Sequence, residues 1–165
     1  MARKETLPTL LPSVFDRLID REPGNRNEPQ SWRAQSVKEL KDVVRRDLEW
    51  LLNARRTLAE PPPTSKELLK SVYCYGLPDS TGISVRADDE RRRLALAVEQ
   101  AISHFEPRLM NVKVAIPKIA SSSKVLHFQI EALIRTEPAP TRIYFDSTLE
   151  LTSGAYEVED EARAR

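Results

Sequence analysis

The hydrophobic pattern of this chain changes period at a single proline, and this change restricts the folds that the chain can adopt. Before Pro107, apolar residues recur at the spacing of a helix face, at Leu94, Ala97, Val98, Ala101, Ile102 and Phe105. After it the apolar period is two, as in a strand, with Val112, Val114 and Ile116 on one face. Proline has no N–H to donate and disfavours the α conformation of the preceding residue. The chain therefore passes from helix to sheet at this residue.

Two charged residues flank this proline, and we refer to Glu106, Pro107 and Arg108 together as the joint. Chemistry alone leaves two interpretations of the joint open. In the first it terminates a helix and forms a local ion pair. In the second it is a fixed polar surface at an exposed helix end, shaped to fit the groove of a partner protein.

The size of the chain indicates one domain, and its charge argues against a nucleic-acid partner. Its 165 residues fit one domain, since domains usually have ~100–200 residues. The formal net charge is +1, because 26 basic and 25 acidic side chains nearly cancel. Such a balance gives no strong long-range attraction to a polyanion. We therefore expect no nucleic-acid partner.

Cysteine content and hydropathy indicate the compartment. The single Cys74 excludes an internal disulfide and a cysteine-rich zinc site, and suits a reducing environment. No apolar stretch has the features of a signal peptide or approaches the ~20 residues that a membrane span needs. We therefore expect a cytoplasmic protein without direct membrane insertion.

Residues 1–35 are predicted to form a detachable N-terminal piece. Apolar residues at helical spacing predict one short amphipathic helix: Leu11, Val14, Phe15, Leu18 and Ile19. Residues 20–35 are rich in Pro, Gly, Asn and charge, a composition typical of a linker. The helix either folds back on the domain or docks in a groove of another chain.

Residues 36–158 are predicted to form a single domain, followed by a charged tail at 159–165. A capping box at Ser36 starts a long helix, whose apolar stripe continues to Leu58 before the prolines from Pro61 end it. We interpret Trp50 in this helix as the edge of a wide buried face rather than as a contact with a partner.

A second capping box, at residues 64–67, predicts a short helix that buries Leu68, Leu69 and Val72. The helix that leads to the joint opens at Asp88, where its acidic first turn suits the helix dipole.

The remaining residues predict strands at 110–116, 125–135 and 141–151, and a short one through Tyr156 and Val158. Helices followed by consecutive strands predict an α+β fold, with N-terminal helices packed on one face of a C-terminal, mainly antiparallel sheet of three to four strands.

Residues for catalysis are poorly represented. The two histidines, His104 and His127, have no cysteine or carboxylate at a metal-ligand spacing. Nucleophile-elbow and phosphate-loop motifs are absent. A glycosidase needs two carboxylates across a cleft, and Glu99, Glu106 and Asp146 are the candidates that the sequence offers. We expect no catalytic, cofactor-binding or metal-binding residues, and no enzyme.

Three motifs together identify a family resemblance. They are Val14-Phe15-Asp16-Arg17-Leu18, Tyr75-Gly76-Leu77-Pro78-Asp79 and Phe105-Glu106-Pro107-Arg108-Leu109. In this order and spacing they resemble the TssE family, a baseplate subunit of the bacterial type VI secretion system. That family is similar to the small wedge protein of contractile phage-tail baseplates, which shares the Glu-Pro-Arg motif. The resemblance extends over about residues 11–158.

The resemblance implies a non-enzymatic structural subunit, without cofactors, in a cytoplasmic baseplate docked at the inner membrane complex. Its implied partners are the wedge proteins TssF and TssG, with TssK, and the sheath proteins TssB and TssC. The predicted interaction residues are Glu106, Pro107 and Arg108 in the joint, with Phe15 and Leu18. The sheet at 110–158 would offer a free edge to the first sheath ring by strand addition.

Two alternative functions remain open. The alternatives are a peptidoglycan hydrolase, following a lysozyme-like label that the family has carried, and a free-standing regulatory adaptor. We expect Arg108→Ala to leave the isolated fold intact and to abolish incorporation into the wedge; a melted or aggregated variant would show that the joint mainly holds the fold together.

Overall fold

The structure, a computed structural model, describes residues 15, 18, 37–57, 61–62, 64–79, 87–117, 124–136 and 139–160. Within these ranges, two α-helices precede four strands. The helices are α1 (Val37–Asn53) and α2 (Asp88–Phe105), with short 3-10 helices at Lys66–Lys70 and Val72–Cys74 between them. The strands are β1 (Leu109–Ala115), β2 (Val125–Ile134), β3 (Thr141–Glu150) and β4 (Tyr156–Asp160). This order confirms the predicted α+β class.

The sheet is antiparallel, and its strands lie in chain order β1-β2-β3-β4. Because neighbours in sequence are neighbours in the sheet, β1 and β4 form its two edges. β1 departs from regular pairing between Met110 and Lys113, where a bulge places Asn111 at a φ of 53°. β2, predicted as a strand, alternates in burial, with buried Leu126, Phe128, Ile130, Ala132 and Ile134 on one face and exposed His127 on the other.

Both helices cover one face of the sheet. α1 buries a stripe that includes Val44 and Leu48, and α2 buries Val98 and Ile102. These side chains meet the buried faces of the strands, with Phe145 of β3 fully enclosed. The N-terminal helices therefore pack on one face of the C-terminal sheet, as predicted. No described helix is both long and apolar enough to span a membrane.

The first helix ends earlier than predicted. α1 stops at Asn53, whereas the predicted helix continues to Leu58. Leu58 and Ser36, the predicted N-cap of this helix, lie outside the described residues. The carbonyl of Ala54 accepts the N–H of Leu77 at 2.8 Å, and Arg56 N–H donates to the carbonyl of Leu77 at 3.0 Å. These two bonds form a short parallel bridge between Arg55 and Leu77. The Ala54 carbonyl and the Arg56 N–H are therefore not available for the hydrogen bonds that would continue the helix.

The second capping box is wrong. The N-cap residue is Ser65 rather than Thr64, the first residue of the predicted box; Ser65 makes no side-chain capping bond, and the segment after it is a 3-10 helix. The extended residue Ser71 ends this helix, so Leu69 lies in the first 3-10 helix and Val72 opens the second, and no continuous helix face buries both. They are 46% and 88% exposed, although the sequence predicted both to be buried.

The strand boundaries differ from prediction by about one residue, within the usual error of such assignments. β4 continues to Asp160, two residues into the stretch predicted as a charged tail. The division into an N-terminal piece, one domain and a tail stays a prediction.

Candidate protein-interaction site

The joint connects α2 to β1 through the backbone of Glu106. Its N–H closes the last turn of α2 on the carbonyl of Ile102 at 2.8 Å. Its carbonyl accepts the N–H of Leu109, the first residue of β1, at 3.1 Å. Pro107 lies between these two bonds and prevents the helix from continuing. The local sequence therefore fixes where the helix ends and where the strand begins.

The side chain of Glu106 is buried and paired with Arg108. Glu106 is 4% exposed. Its Oε1 accepts Arg108 Nε at 2.6 Å and the Arg108 N–H at 3.2 Å, while its Oε2 accepts Arg108 Nη2. A guanidinium that forks over a carboxylate in this way makes one of the stronger hydrogen-bonded pairs in proteins. The local ion pair of the first interpretation is thus present.

Arg108 also ties the joint to α1. Its Nη2 donates to Asp47 Oδ2 at 2.6 Å, across 61 positions of sequence. Asp47 in turn accepts Arg46 Nη2 at 2.9 Å through its other oxygen. Burial lowers the pKa of Arg108, but Glu106 and then Asp47 raise it more, and the net pKa is above the ordinary arginine value. Arg108 is therefore a permanent cation held between two carboxylates.

The joint forms one wall of a cleft of about 380 Å³, which we call the joint cleft. Its lining residues are Asp47, Trp50, Leu51, Tyr75, Phe105, Glu106, Pro107 and Arg108. Tyr75 packs edge-on against Phe105, with ring centroids 5.2 Å apart. The motif that begins at Tyr75 and the motif that contains the joint therefore meet in one cleft, although they are far apart in the sequence.

Gly76 fixes the path of the chain beside this cleft. Its φ is +102°, a conformation that L side chains rarely adopt. A Cβ at this position would lie 2.2 Å from the carbonyl oxygen of Ala54. That same oxygen accepts the N–H of Leu77, so the close approach is part of the bridge that ends α1. Glycine is required here for both reasons.

The third motif reaches the same region through Phe15. Phe15 lies edge-on to Trp50, with centroids 5.5 Å apart, and the guanidinium of Arg46 lies over both rings, 5.3 Å and 4.8 Å from their centroids. Phe15 and Leu18 are helical and are 50% and 78% exposed. At Phe15, the opening segment therefore contacts its own domain.

Trp50 also lies in this site, although the sequence predicts it only as the edge of a buried face. It is 50% exposed and contributes both to the joint cleft and to the contact with Phe15. The available signal was its position on a second, narrower ridge of the helix, beside the charged Asp47. Tryptophan is one of the residue types enriched in the hot spots of protein interfaces.

The carboxylates considered for catalysis are all engaged within the chain. Glu99 accepts the N–H of Val114 at 2.8 Å, and Asp146 accepts Gln129 Nε2 at 3.1 Å on the outer sheet face. Glu106 and Asp47 in the joint cleft both bind Arg108. Among the described residues, no cluster of His, Cys, Asp and Glu has the composition of a metal site.

Tyr75 gives the joint cleft a testable pH dependence. Burial raises the pKa of its phenol, and the charges of Asp47 and Glu106 raise it further. In the unfolded chain the phenol ionises near its usual pKa of about 10. The stability that this difference contributes is therefore fully present below about pH 10 and is lost as pH rises toward the folded pKa.

Tyr75→Phe is expected to remove that part of the alkaline loss of stability. Urea unfolding at about pH 8 and about pH 11 should give a smaller difference for this variant than for the wild type. Tyr73→Phe is the control, because Tyr73 is 42% exposed and does not line the joint cleft. An equal loss in the wild type and in Tyr75→Phe would contradict the expectation.

Comparison with known proteins identifies a family for this chain. A family model described as baseplate wedge protein gp25 matches residues 38–139, more than half of the 165 residues. The matched range contains α1 except its first residue, the Gly76 segment, the joint and the first two strands, but neither Phe15 nor Leu18. No curated protein and no solved structure matches the chain.

Proposed function

Because the chain belongs to the baseplate wedge protein gp25 family, whose members are structural proteins of phage-tail-like contractile baseplates, we propose that it is the TssE-like subunit of a type VI secretion baseplate. The finer assignment to type VI secretion is supported by the motifs at residues 14–18, 75–79 and 105–109. Each of these motifs contributes a residue at or beside the joint cleft.

The observation that carries the proposal is the set of ion pairs that connects the joint to α1. Arg108 holds the end of α2 and the middle of α1 in one arrangement through Glu106 and Asp47. A surface that is already ordered loses little conformational entropy on binding. In this proposal the joint cleft receives a segment of the wedge proteins TssF and TssG, which assemble with TssK. Trp50 serves as the aromatic anchor and the joint as the charged wall.

The second part of the proposed role is to seed the sheath. The sheet of the chain would accept a strand from the sheath proteins TssB and TssC, so that main-chain hydrogen bonds supply affinity. The subunit would then act on the cytoplasmic side of the inner membrane complex, between the wedge and the first sheath ring.

Catalysis is not part of the proposed role. The two carboxylates in the joint cleft bind one guanidinium rather than facing an open substrate site. A turbidity assay on peptidoglycan tests the hydrolase alternative directly. We expect no loss of turbidity, and lysis by the purified chain would revive that alternative.

Co-purification tests the wedge contact. The tagged chain, expressed with TssF and TssG, is expected to retain both proteins. Trp50→Ala is expected to reduce this retention by about thirtyfold, which corresponds to the ~2 kcal/mol of an interface hot spot. Trp50 is half exposed, so its removal should not unfold the domain, and circular dichroism on each variant checks this.

Leu96→Ala is the matched control for Trp50→Ala. Leu96 is 54% exposed on α2 and does not line the joint cleft. Normal retention by Trp50→Ala would move the wedge contact elsewhere on the chain. A wild-type chain that stays alone with every candidate partner would favour the regulatory adaptor over the baseplate subunit.

A further inference from the structure

The two edges of the sheet are closed to different degrees. In an antiparallel pair, alternate residues direct their backbone groups toward the neighbouring strand and away from it. On β4 the outward residue Tyr156 donates its N–H to Asn53 Oδ1 at 2.9 Å and accepts Asn53 Nδ2 on its carbonyl at 2.8 Å. The side-chain amide of Asn53 thus makes the pair of bonds that a residue of a fifth strand would make.

α1 closes the rest of the β4 edge. Two residues beyond Tyr156, the carbonyl of Val158 accepts Arg45 Nη1 at 3.2 Å. Lys41 forms an ion pair with Asp160 at the end of the strand. These side chains come from one face of the same helix, which runs beside the strand. A strand added at β4 would have to displace three backbone bonds and the helix that supplies them.

The β1 edge has one such bond. The N–H of Val114 donates to Glu99 Oε1 at 2.8 Å, and among the described residues this is the one side chain that binds the outward backbone of β1. A carboxylate accepts hydrogen bonds but donates none, so it leaves the carbonyl of Val114 available. Beyond the bulge at Asn111, an incoming strand would therefore displace one backbone bond, made by one side chain of α2.

Burial gives an independent indication of the same asymmetry. The core-facing residues of the edge strand β4 are enclosed, with Tyr156 5% and Val158 1% exposed. Val112 and Val114, the corresponding residues of β1, are only partly buried although they pack against the core. The core is thus complete at the β4 edge and incomplete at the β1 edge. A further strand beside β1 would finish the burial of these valines.

From these two observations we infer that the sheet receives its partner strand at β1, with Glu99 as a displaceable cap on Val114, and that α1 locks the β4 edge. The partner segment is an extended strand with alternating apolar residues, which would cover Val112 and Val114. Its opposite face would lie beside exposed Lys113 and so suits an acidic residue. This inference rests on the proposed function, in which that strand belongs to a sheath protein.

Photo-cross-linking distinguishes the two edges. A photoreactive phenylalanine analogue replaces Lys113 in one variant and Glu157 in the other, with TssB and TssC co-expressed. Both residues are exposed and alternate with core-facing residues. The two positions are therefore comparable, except that one lies on β1 and the other on β4. We expect cross-links to a sheath protein from position 113 and none from position 157. The reverse result, equal yields at both positions, or sheath retention without any cross-link at position 113 would overturn the inference.

Amide exchange on the isolated chain tests the edges without any partner. Each amide donates one bond, but Asn53 is held at Tyr156 by a second bond, to the Tyr156 carbonyl. The Val114 amide is therefore expected to exchange about tenfold faster than the Tyr156 amide, the factor that roughly one net hydrogen bond supplies. Equal protection of the two amides would overturn the difference between the edges. If exchange differs as expected but no sheath protein is retained, the proposed sheath-seeding function fails together with the choice of partner, and the closed β4 edge stands.

Discussion

Glu106→Ala is expected to lower the free energy of unfolding by about 3 kcal/mol, near the low end of the range for breaking a buried ion pair. The substitution removes the carboxylate that accepts three hydrogen bonds from Arg108. Arg108 keeps Asp47 as a partner, and its side chain is 23% exposed, so the loss should not reach the top of that range. Urea unfolding of the isolated chain measures the effect.

Arg108→Ala is expected to destabilise the isolated fold as well, because it leaves Glu106 buried without its cation. Sequence alone led to the opposite expectation, that this variant would keep its fold and lose only its partner. The double variant Glu106→Ala/Arg108→Ala should lose less than the sum of the single losses, since neither charge is then left alone.

A surface pair provides the control for these variants. Arg142 and Glu131 form a solvent-exposed ion pair at 3.2 Å on the outer sheet face. Glu131→Ala is expected to unfold at the urea concentration of the wild type, because exposed pairs contribute little. If Glu106→Ala also unfolds at that concentration, the ion pair does not hold the joint together, and its role is confined to partner binding.

Gly76→Ala is the second substitution with a large expected effect, a loss of about 3 kcal/mol or more. The positive φ alone costs an L residue ~1–2 kcal/mol. In addition, the new Cβ would lie 2.2 Å from the Ala54 carbonyl oxygen, so the backbone must move. That movement breaks the 2.8 Å bond from Leu77 N–H to the same oxygen. Thermal and urea unfolding measure the loss.

Gly154→Ala is the matched control for this prediction. Gly154 also has a positive φ, of 69°, in the turn before β4. Its substitution is expected to cost only the conformational term of ~1 kcal/mol. Equal losses at the two glycines would indicate that the close approach to Ala54 is relieved without cost. A much larger loss at Gly76 would explain the Tyr75-Gly76-Leu77 motif as a structural requirement that also positions Tyr75 in the joint cleft.

The sequence by itself determined the order and type of the main elements. The end of α2 at Pro107 and the alternation of β2 depend on residues adjacent in the chain, so both were readable without a structure. The α+β class followed from the same local patterns. The three motifs also carried enough information to identify the baseplate wedge family, although the family match does not reach Phe15 and Leu18.

The tertiary structure alone decided which distant residues meet. Asp47 binds Arg108 across 61 positions, and Leu77 ends α1 at Asn53 by taking the carbonyl of Ala54. Hydrophobic period and capping signals contain no information about such partners, because each partner is set by how the elements pack. The same reason explains the exposed Val72, the half-exposed Trp50 beside the joint cleft, and the side chains of α1 that bond the β4 edge of the sheet.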